Sequence, residues 1–426
     1  MTRTLYTILL WLALPVLIIR LGIRAIRNKA YRHRWPERFG GGKPAKACQL
    51  WVHAVSVGEV NAATPLIHHL LESQPALEIV VTTMTPTGAQ RVRDTFGTAV
   101  QHRYAPYDYP FAINRFLRRF RPQALVLMET EIWPNIIAQC FADDIAVVMA
   151  NVRLSEKSAR GYRLVLPLIR PTLEKVSVMA AQSERDKQNL MGLGVSPDRV
   201  HLTGSTKFEI DVPPSVAEVA LAVRRDWGVN RPVLVAGSTH DGEEMILLEE
   251  LRKLLPSHPD LLLIIAPRHP ERFESVGRLI EKMDFKMSRR TDAQHALDAS
   301  IEVQLANTMG ELLTLYAAAD IAIVGGSLMP IRGIGGHNIL EPCAVGVPVV
   351  FGSNMGNFLE ITHLTLAEKA GFQVRDENEL SEVLKQLLDD ASLRASVGEN
   401  GRALIQRNLG ATAQTLSLIK PFLTAE

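Results

Sequence analysis

The stretch QLWVHAVSVGEV, residues 49–60, runs from Gln49 to Val57 with only His53 and Ser56 interrupting its apolar side chains, then turns at Gly58 into a segment of helical period, 59–73. A strand with one wet face alternates apolar and polar residues, whereas a strand covered on both faces of a parallel sheet is apolar at consecutive positions. This stretch is of the second kind. Similar runs occur at 77–84, 124–128, 145–150, 176–181 and 200–204, with helix-like segments between them such as 133–142. Alternation of such strands with helices argues for a doubly wound α/β domain. After Val212-Pro213-Pro214 the pattern restarts, with runs at 232–236, 261–266, 302–305, 321–324 and 347–351. The proline pair and the restart place a domain boundary between 210 and 230. The expected organisation is an N-terminal segment 1–38, a domain over 39–212 and a second over 213–426, whose last helix has the option of packing back on the first.

At 426 residues, 47% of them hydrophobic, the chain is too long for one ordinary core and too apolar for a disordered protein. Its charge is nearly balanced, 47 Lys+Arg against 45 Asp+Glu, but residues 1–38 hold eight basic residues and one acidic, net +7, leaving −5 for the rest. That excludes a chain-wide polyanion binder, nucleic acid included, and points to one positively charged end. Three widely spaced cysteines, Cys48, Cys140 and Cys343, form neither a disulfide framework nor a zinc pattern, which suits a reducing compartment.

Residues 4–19 carry no charge. As a helix these sixteen positions are about 24 Å long, a little short of a bilayer core, so the segment either spans with snorkelling flanks or lies in one leaflet. No small-x-small cleavage site follows; Arg20, Arg24, Arg27, Lys29, Arg32, Arg34 and Arg38 follow instead. The pattern is that of an uncleaved membrane anchor with a cytoplasmic body and an attraction for anionic lipid. Arg115-Phe116-Leu117-Arg118-Arg119-Phe120-Arg121 reads either as a second lipid-facing segment or as an amphipathic surface helix.

In doubly wound sheets ligands bind beyond the carboxyl ends of the strands, so junctions there count most. Glu59 opens the first helix, where the macrodipole favours its ionised form by up to about 1 kcal/mol. It is a candidate general base, and the plain alternative is a first-turn Glu that only stabilises its helix. Met128-Glu129-Thr130-Glu131-Ile132-Trp133-Pro134-Asn135 carries two carboxylates before a proline-initiated helix, read either as a site or as helix capping. Lys207, beside the Gly204-Ser205-Thr206 turn, suits an anion. In the second half Gly237-Ser238-Thr239-His240-Asp241-Gly242-Glu243-Glu244 resembles an anion site at a helix start but is not a Walker A loop. Arg268, after Ala266-Pro267, can fork onto a phosphate. Thr308-Met309-Gly310-Glu311 makes another turn into a helix. The richest block joins Val324-Gly325-Gly326-Ser327-Leu328 to Gly335-Gly336-His337-Asn338-Ile339-Leu340-Glu341-Pro342, with glycines for close ligand approach and Glu341 placed for vicinal hydroxyls. There is no Asp-x-Asp pair or His-Glu-x-x-His, and His53, His269 and His337 lack metal-ligand spacing.

Taken together, Arg38-Phe39-Gly40, HAVSVGEV at 53–60, METEIWPN at 128–135, GSTKF at 204–208, APRHPER at 266–272, TMGEL at 308–312 and GGHNILEP at 335–342 resemble the bacterial 3-deoxy-D-manno-octulosonic acid (Kdo) transferases, over essentially the whole chain. The resemblance implies a GT-B fold of two Rossmann-like doubly wound domains with a cleft between them, an N-terminal acceptor-binding domain and a C-terminal domain for the CMP-sugar. It implies metal-independent inverting transfer of Kdo from CMP-Kdo to a lipid A precursor, with no cofactor, on the cytoplasmic side of the inner membrane among anionic lipids. In its light Glu59 corresponds to the catalytic base, Glu129 and Lys207 to groups that steady the transition state, and Pro267, Arg268, Met309, Gly310, Glu311, Asn338, Ile339, Leu340 and Glu341 to CMP contacts. The connection Met329-Pro330-Ile331-Arg332-Gly333-Ile334 is a little longer than is usual in the family. A nucleotide-sugar epimerase shares the architecture but needs no anchor, and a tethered anion-binding scaffold leaves Glu341 and the glycine-rich turns unexplained.

Overall fold

The computed structural model describes residues 1–27, 29–210, 212–292, 296–331 and 333–423; Arg332 of the long connection lies outside the described residues. The chain divides into two compact units, Met1–Glu209 with Asn408–Glu426, and Ile210–Arg407.

In the first unit β1 (Leu50–His53), β2 (Ile79–Thr83), β3 (Gln101–Tyr104), β4 (Ala124–Met128), β5 (Ala146–Val152), β6 (Val178–Ala181) and β7 (Val200–Leu202) form one parallel sheet in the order β3-β2-β1-β4-β5-β6-β7. In the second, β8 (Val233–Thr239), β9 (Leu262–Pro267), β10 (Met287–Arg289), β11 (Val303–Leu305), β12 (Ile321–Val324), β13 (Val349–Gly352) and β14 (Gly371–Val374) form another, in the order β10-β11-β9-β8-β12-β13-β14. Successive strand residues point to opposite faces, and both faces are covered. Thus Trp51, Leu125, Leu127, Val147 and Met149 enter the core on one side of the first sheet, and Leu50, Val52, Val126 and Val148 on the other. All nine are inaccessible to solvent. This is why the apolar runs in the sequence are continuous.

The strands that the apolar pattern misses are β3, β10 and β14. Each is an edge strand with partly exposed positions: β3, Gln-His-Arg-Tyr, buries alternate positions, all three residues of β10 stay partly exposed, and so do the two central residues of β14. One covered face leaves no continuous apolar run to read.

The first helix, α1 (Arg3–Arg27), is longer than the uncharged stretch because it continues through Arg20 and Arg24. It is apolar enough to cross a membrane by length and composition, and Leu12, Val16, Ile19 and Ile26 are each more than 60% exposed. Three further helices shape the first site: α2 (Val57–Ser73), α3 (Pro86–Phe96) and α4 (Pro110–Phe120). In α4 the basic and aromatic residues are separated by face: Phe116 and Phe120 stack on each other in the core while Arg115 and Arg118 remain at the surface. The segment 115–121 is therefore an amphipathic surface helix whose aromatic half is not available to lipid. The helix Ala411–Ile419 places Leu416 and Ile419 in the core of the first unit, and Glu209 Oε1 accepts from the N–H groups of Gly410 (2.9 Å) and Thr412 (3.1 Å).

Glycines sit where backbones cross. A Cβ at Gly325 would stand 2.5 Å from the Ser238 carbonyl oxygen and 2.7 Å from Thr239 Cα, main-chain atoms that have nowhere to go. Gly161, in the exposed helix Glu156–Arg163, has nothing within 4 Å. Gly325→Ala is expected to destabilise the second unit by about 2 kcal/mol or more, and Gly161→Ala to stabilise the first by about 0.5–1 kcal/mol, in urea unfolding followed by circular dichroism. Equal effects of the two substitutions would contradict the packing described.

Candidate active site

In the first sheet the strand order reverses between β1 and β4, so the chain leaves their carboxyl ends in opposite directions and opens a crevice there. Glu59 lies just beyond β1. Ser56 caps α2 by accepting from Glu59 N–H at 3.3 Å, and the Glu59 carboxyl reaches back to accept from Val55 N–H (2.8 Å) and Ser56 Oγ (2.9 Å), a capping box. The side chain is buried, and burial, followed by the negative charge of Glu131, pushes its pKa up to about 8; the bonds from Val55 and Ser56 pull the other way. This corrects the expectation that the helix terminus would keep Glu59 ionised. A macrodipole supplies about 1 kcal/mol at most in ordinary geometry, and withdrawing a carboxylate from water costs more.

Beyond β4, Glu129 adopts a left-handed backbone, φ +57°, costly for a residue with a Cβ. Its carboxylate meets Lys207 Nζ at 3.0 Å, both side chains about a quarter exposed. Lys207 lies on a short turn, Thr206–Phe208, fixed by the Asn151 side chain, which accepts from Thr206 N–H at 3.1 Å. Glu131 Oε2 accepts from Trp133 Nε1 at 2.6 Å, and burial raises the Glu131 pKa, with the Glu129 charge adding to it. The Trp133 ring stands edge-on to His53 at 5.2 Å, and burial holds His53 neutral, its pKa lowered to about 3.

The helix that follows, α5 (Pro134–Ala142), is capped by neither glutamate. Its first free amides, Asn135 and Ile136, donate to the carboxylate of Asp108 at 3.1 and 2.7 Å. The capping alternative for Glu129 and Glu131 is thereby removed. The structure brings Glu59, Glu129 and Lys207 to the carboxyl edge of one sheet and adds Glu131 and Trp133, which were legible within METEIWPN but had no distinct signal beyond their spacing.

In the second unit the order reverses between β8 and β12. Here the protein supplies its own anion. Glu243 Oε2 accepts from the N–H groups of Gly326 (2.7 Å) and His240 (2.9 Å), and Oε1 from those of Ser327 and Leu328, both 3.0 Å. Burial pushes the Glu243 pKa up and the four donors pull against it. The amides of the 237–244 and 325–328 turns that sequence reading left open to a ligand are therefore taken by a protein carboxylate. Beside it Glu244 pairs with Arg272 at 2.5 Å and accepts from Thr239 Oγ1 at 2.7 Å.

Pro267 ends β9, and Arg268 N–H donates to the Thr239 carbonyl at 3.0 Å, which puts Arg268 at the carboxyl edge. Met309 is exposed, Gly310 takes φ +84°, and Glu311 Oε2 accepts from Thr308 Oγ1 (2.5 Å) and faces Arg290 at 3.4 Å. Asn338 accepts from Leu340 N–H (3.1 Å) and donates to Glu341 (3.3 Å). Ile339 and Leu340 are fully buried, so their side chains pack inside the unit and do not line an open surface. His337 and His240 stack at 5.0 Å with Nε2 atoms 2.8 Å apart, and burial lowers both pKa values, that of His337 to about 4. Two neutral imidazoles can share that contact only if one Nε2 carries the proton and the other accepts it.

Two doubly wound units, each with polar groups gathered where its strand order reverses, define a glycosyltransferase of the two-Rossmann, GT-B type, and residues 245–404 match the family described as glycosyl transferases group 1. The fold is similar to that of a UDP-GlcNAc 2-epimerase from Neisseria meningitidis, at a TM-score of 0.53 and 15% identity over 88% of this chain and 98% of that one, a likeness of fold alone. Residues 33–210 match the family described as 3-deoxy-D-manno-octulosonic-acid transferase (kdotransferase). The chain is 38% identical to a 3-deoxy-D-manno-octulosonic acid transferase of Haemophilus influenzae over 99% of both chains. It is 33% identical to that of Bordetella pertussis over 99% of this chain and 100% of the relative. The chain belongs to the Kdo transferase family. It is a glycosyltransferase, and the epimerase reading falls away.

Glu59 also makes stability depend on pH. Its folded-state pKa, about 8, lies above the ordinary 4.5, so folding takes up a proton between those values and stability falls as pH rises through that window. Glu59→Gln, which preserves an acceptor for Val55 and a partner for Ser56, lacks that loss. Its melting temperature relative to the parent is expected to climb steadily from pH 5 to pH 8.5; two curves that stay parallel would show that Glu59 does not carry the shift.

Proposed function

We propose that the protein transfers Kdo from CMP-Kdo to a lipid A precursor by a single inverting displacement in which Glu59 is the general base. The observation that carries this is a buried carboxyl at the first crevice whose proton affinity is raised into the neutral range, where a base accepts a proton most effectively. Glu59 takes the proton of an acceptor hydroxyl as the oxygen forms its bond to the anomeric carbon of Kdo. The bond from that carbon to the phosphate oxygen breaks on the opposite face, and CMP departs as a phosphate monoester with the electron pair. One displacement inverts the centre.

Glu131 supports the base by charge: its proximity keeps the proton on Glu59 more tightly held than burial alone would. Glu129 holds the Lys207 ammonium in place, a fixed cation for the negative charge that grows in the transition state. Arg268, at the end of β9, suits the donor phosphate, and Glu311 and Glu341 suit hydroxyl and amino groups of the nucleoside. These roles require no metal ion, because fixed cations meet the leaving phosphate.

The acceptor is a lipid, and α1 with the basic residues that follow it would keep the body at the cytoplasmic face of the inner membrane. The helix meets the body near its start, where the Trp11 ring packs on Tyr109, and beyond its far end the chain folds back so that Arg32 Nε donates to the Ala25 carbonyl at 2.8 Å.

Purified protein with CMP-Kdo and a tetra-acylated lipid A precursor is expected to give product one or more Kdo masses heavier, at a rate that rises with pH toward about 8. Glu59→Gln should bind CMP and float with vesicles as the parent does, while transfer drops by about a thousandfold or more. Near-normal turnover of this variant, or a rate that is flat from pH 6.5 to 8.5, would remove Glu59 from the role.

A further inference from the structure

The start of α1 is joined to the junction that carries Glu131 and Trp133. Tyr6 Oη donates to Asp108 Oδ2 at 2.9 Å, and the same carboxylate accepts from the N–H groups of Asn135 and Ile136 at the start of α5. Asn135 Nδ2 donates back to the Asp108 carbonyl at 2.8 Å, and Thr7 Oγ1 lies 3.1 Å from Asn135 Oδ1. Around this core Tyr109 Oη donates to the Leu10 carbonyl at 2.7 Å, and the Trp11 ring packs against Tyr109 at 5.4 Å and Phe111 at 5.6 Å. Asp108 and Asn135 are 4% and 5% exposed, so these bonds are made out of water, where an unsatisfied partner is expensive.

A helix whose only task is to hold an enzyme at a lipid surface has no need of hydrogen bonds to buried groups of the body. Here the bonds reach the residues that set where α5 begins. Trp133 is the residue before α5; its indole donates to Glu131, and its ring rests on the buried His53 at the end of β1. The route from Tyr6 to Glu131 therefore passes by hydrogen bonds through Asp108 to Asn135, along the main chain through Pro134 to Trp133, and by a hydrogen bond on to Glu131.

We propose that Asp108, held by Tyr6 of the membrane-facing helix, is a positioning residue for the transfer reaction: seating of α1 on the body orders the start of α5 and with it the Glu131–Trp133 segment beside Glu59. The anchor helix then does two things. Its exposed apolar face meets lipid, and its opposite face completes the acceptor-side site, so the enzyme is fully assembled only when the helix is seated. This rests on the reading of Glu59 as the base.

The test uses the full chain in detergent micelles, where membrane recruitment no longer limits the rate. Tyr6→Phe removes one hydroxyl and leaves the Trp11 packing. The expected result is a kcat about tenfold lower with an unchanged donor KM, faster deuterium uptake in the 129–141 segment, and flotation on anionic vesicles equal to the parent. Asp108→Asn, which keeps the shape and one acceptor oxygen, should show the same pattern more strongly and serves if Tyr6→Phe folds poorly. Leu12→Ser, on the exposed face, should do the reverse: flotation falls while kcat in detergent and uptake stay as in the parent. Parent-like uptake in both Tyr6→Phe and Asp108→Asn, or faster uptake with parent-like kcat, overturns the proposal. If the parent itself transfers no Kdo while uptake still rises in the variants, the link from α1 to α5 stands and the assignment of the reaction is what fails.

Discussion

A parallel sheet wound in both directions leaves backbone N–H groups unpaired where the chain departs from a strand or begins a helix, and when these are buried they must find acceptors. In this protein carboxylates do that work. Glu59 serves Val55, Asp108 serves Asn135 and Ile136, Asp186 serves Leu154, Glu209 serves Gly410 and Thr412, and Glu243 serves four amides of two turns. Most of these anions are fixed structural parts, sealed in by the donors they satisfy. Glu59 differs because a second carboxyl, Glu131, lies near enough to oppose its charge. The same device that closes a loop elsewhere leaves here a proton that can be gained and lost.

The central strands were readable because both faces of each sheet are covered, which makes 124–128 and 321–324 apolar at every position and identical to the strands observed. The edge strands β3 and β14 carry polar residues on a partly open face and gave no such signal. The candidate site was readable by position, since Glu59, Glu129 and Lys207 all follow sheet strands. Its chemistry was not. Nothing local to Glu59 announces the burial and the Glu131 charge that reverse its ionisation, and nothing near Asn135 announces that its cap comes from Asp108, 27 residues earlier. Likewise Gly325 reads as room for a ligand, whereas the space a Cβ would need is filled by the Ser238 main chain. Contacts between distant strand ends decide these points, and local pattern does not hold them.

Three left-handed non-glycine residues stand at the same edges. Glu129, Asn151 and Ser238 all take left-handed conformations, φ +57°, +56° and +56°, at the ends of β4, within β5 and near the end of β8. For Glu129 and Ser238 this costs on the order of 1–2 kcal/mol each, and less for Asn151, whose side chain tolerates this region. Two of these residues converge on one cation: Glu129 pairs with Lys207 directly, and Asn151 holds the amide of Thr206, the residue before it. A lysine that merely needed to be soluble would require neither. A left-handed glutamate and a buried asparagine side chain devoted to one ammonium group imply that its location, more than its charge, is what the fold maintains.

That placement bears on the charge of the whole chain. Outside the first 38 residues the protein is net −5, yet a Kdo transferase handles an anionic sugar acid. A uniformly basic body would attract such a substrate but also bind any polyanion without orienting it. Here the isolated Lys207 is anchored by a carboxylate and Arg268 stands at a strand end, while Glu59 is kept largely protonated near neutrality and so adds little repulsion to an approaching anion. On the proposed mechanism, the proton on Glu59 must leave before Glu59 can take one from a bound hydroxyl. On that reading, burial and the neighbouring Glu131 charge trade some of the active fraction of Glu59 for stronger basicity in the fraction that remains.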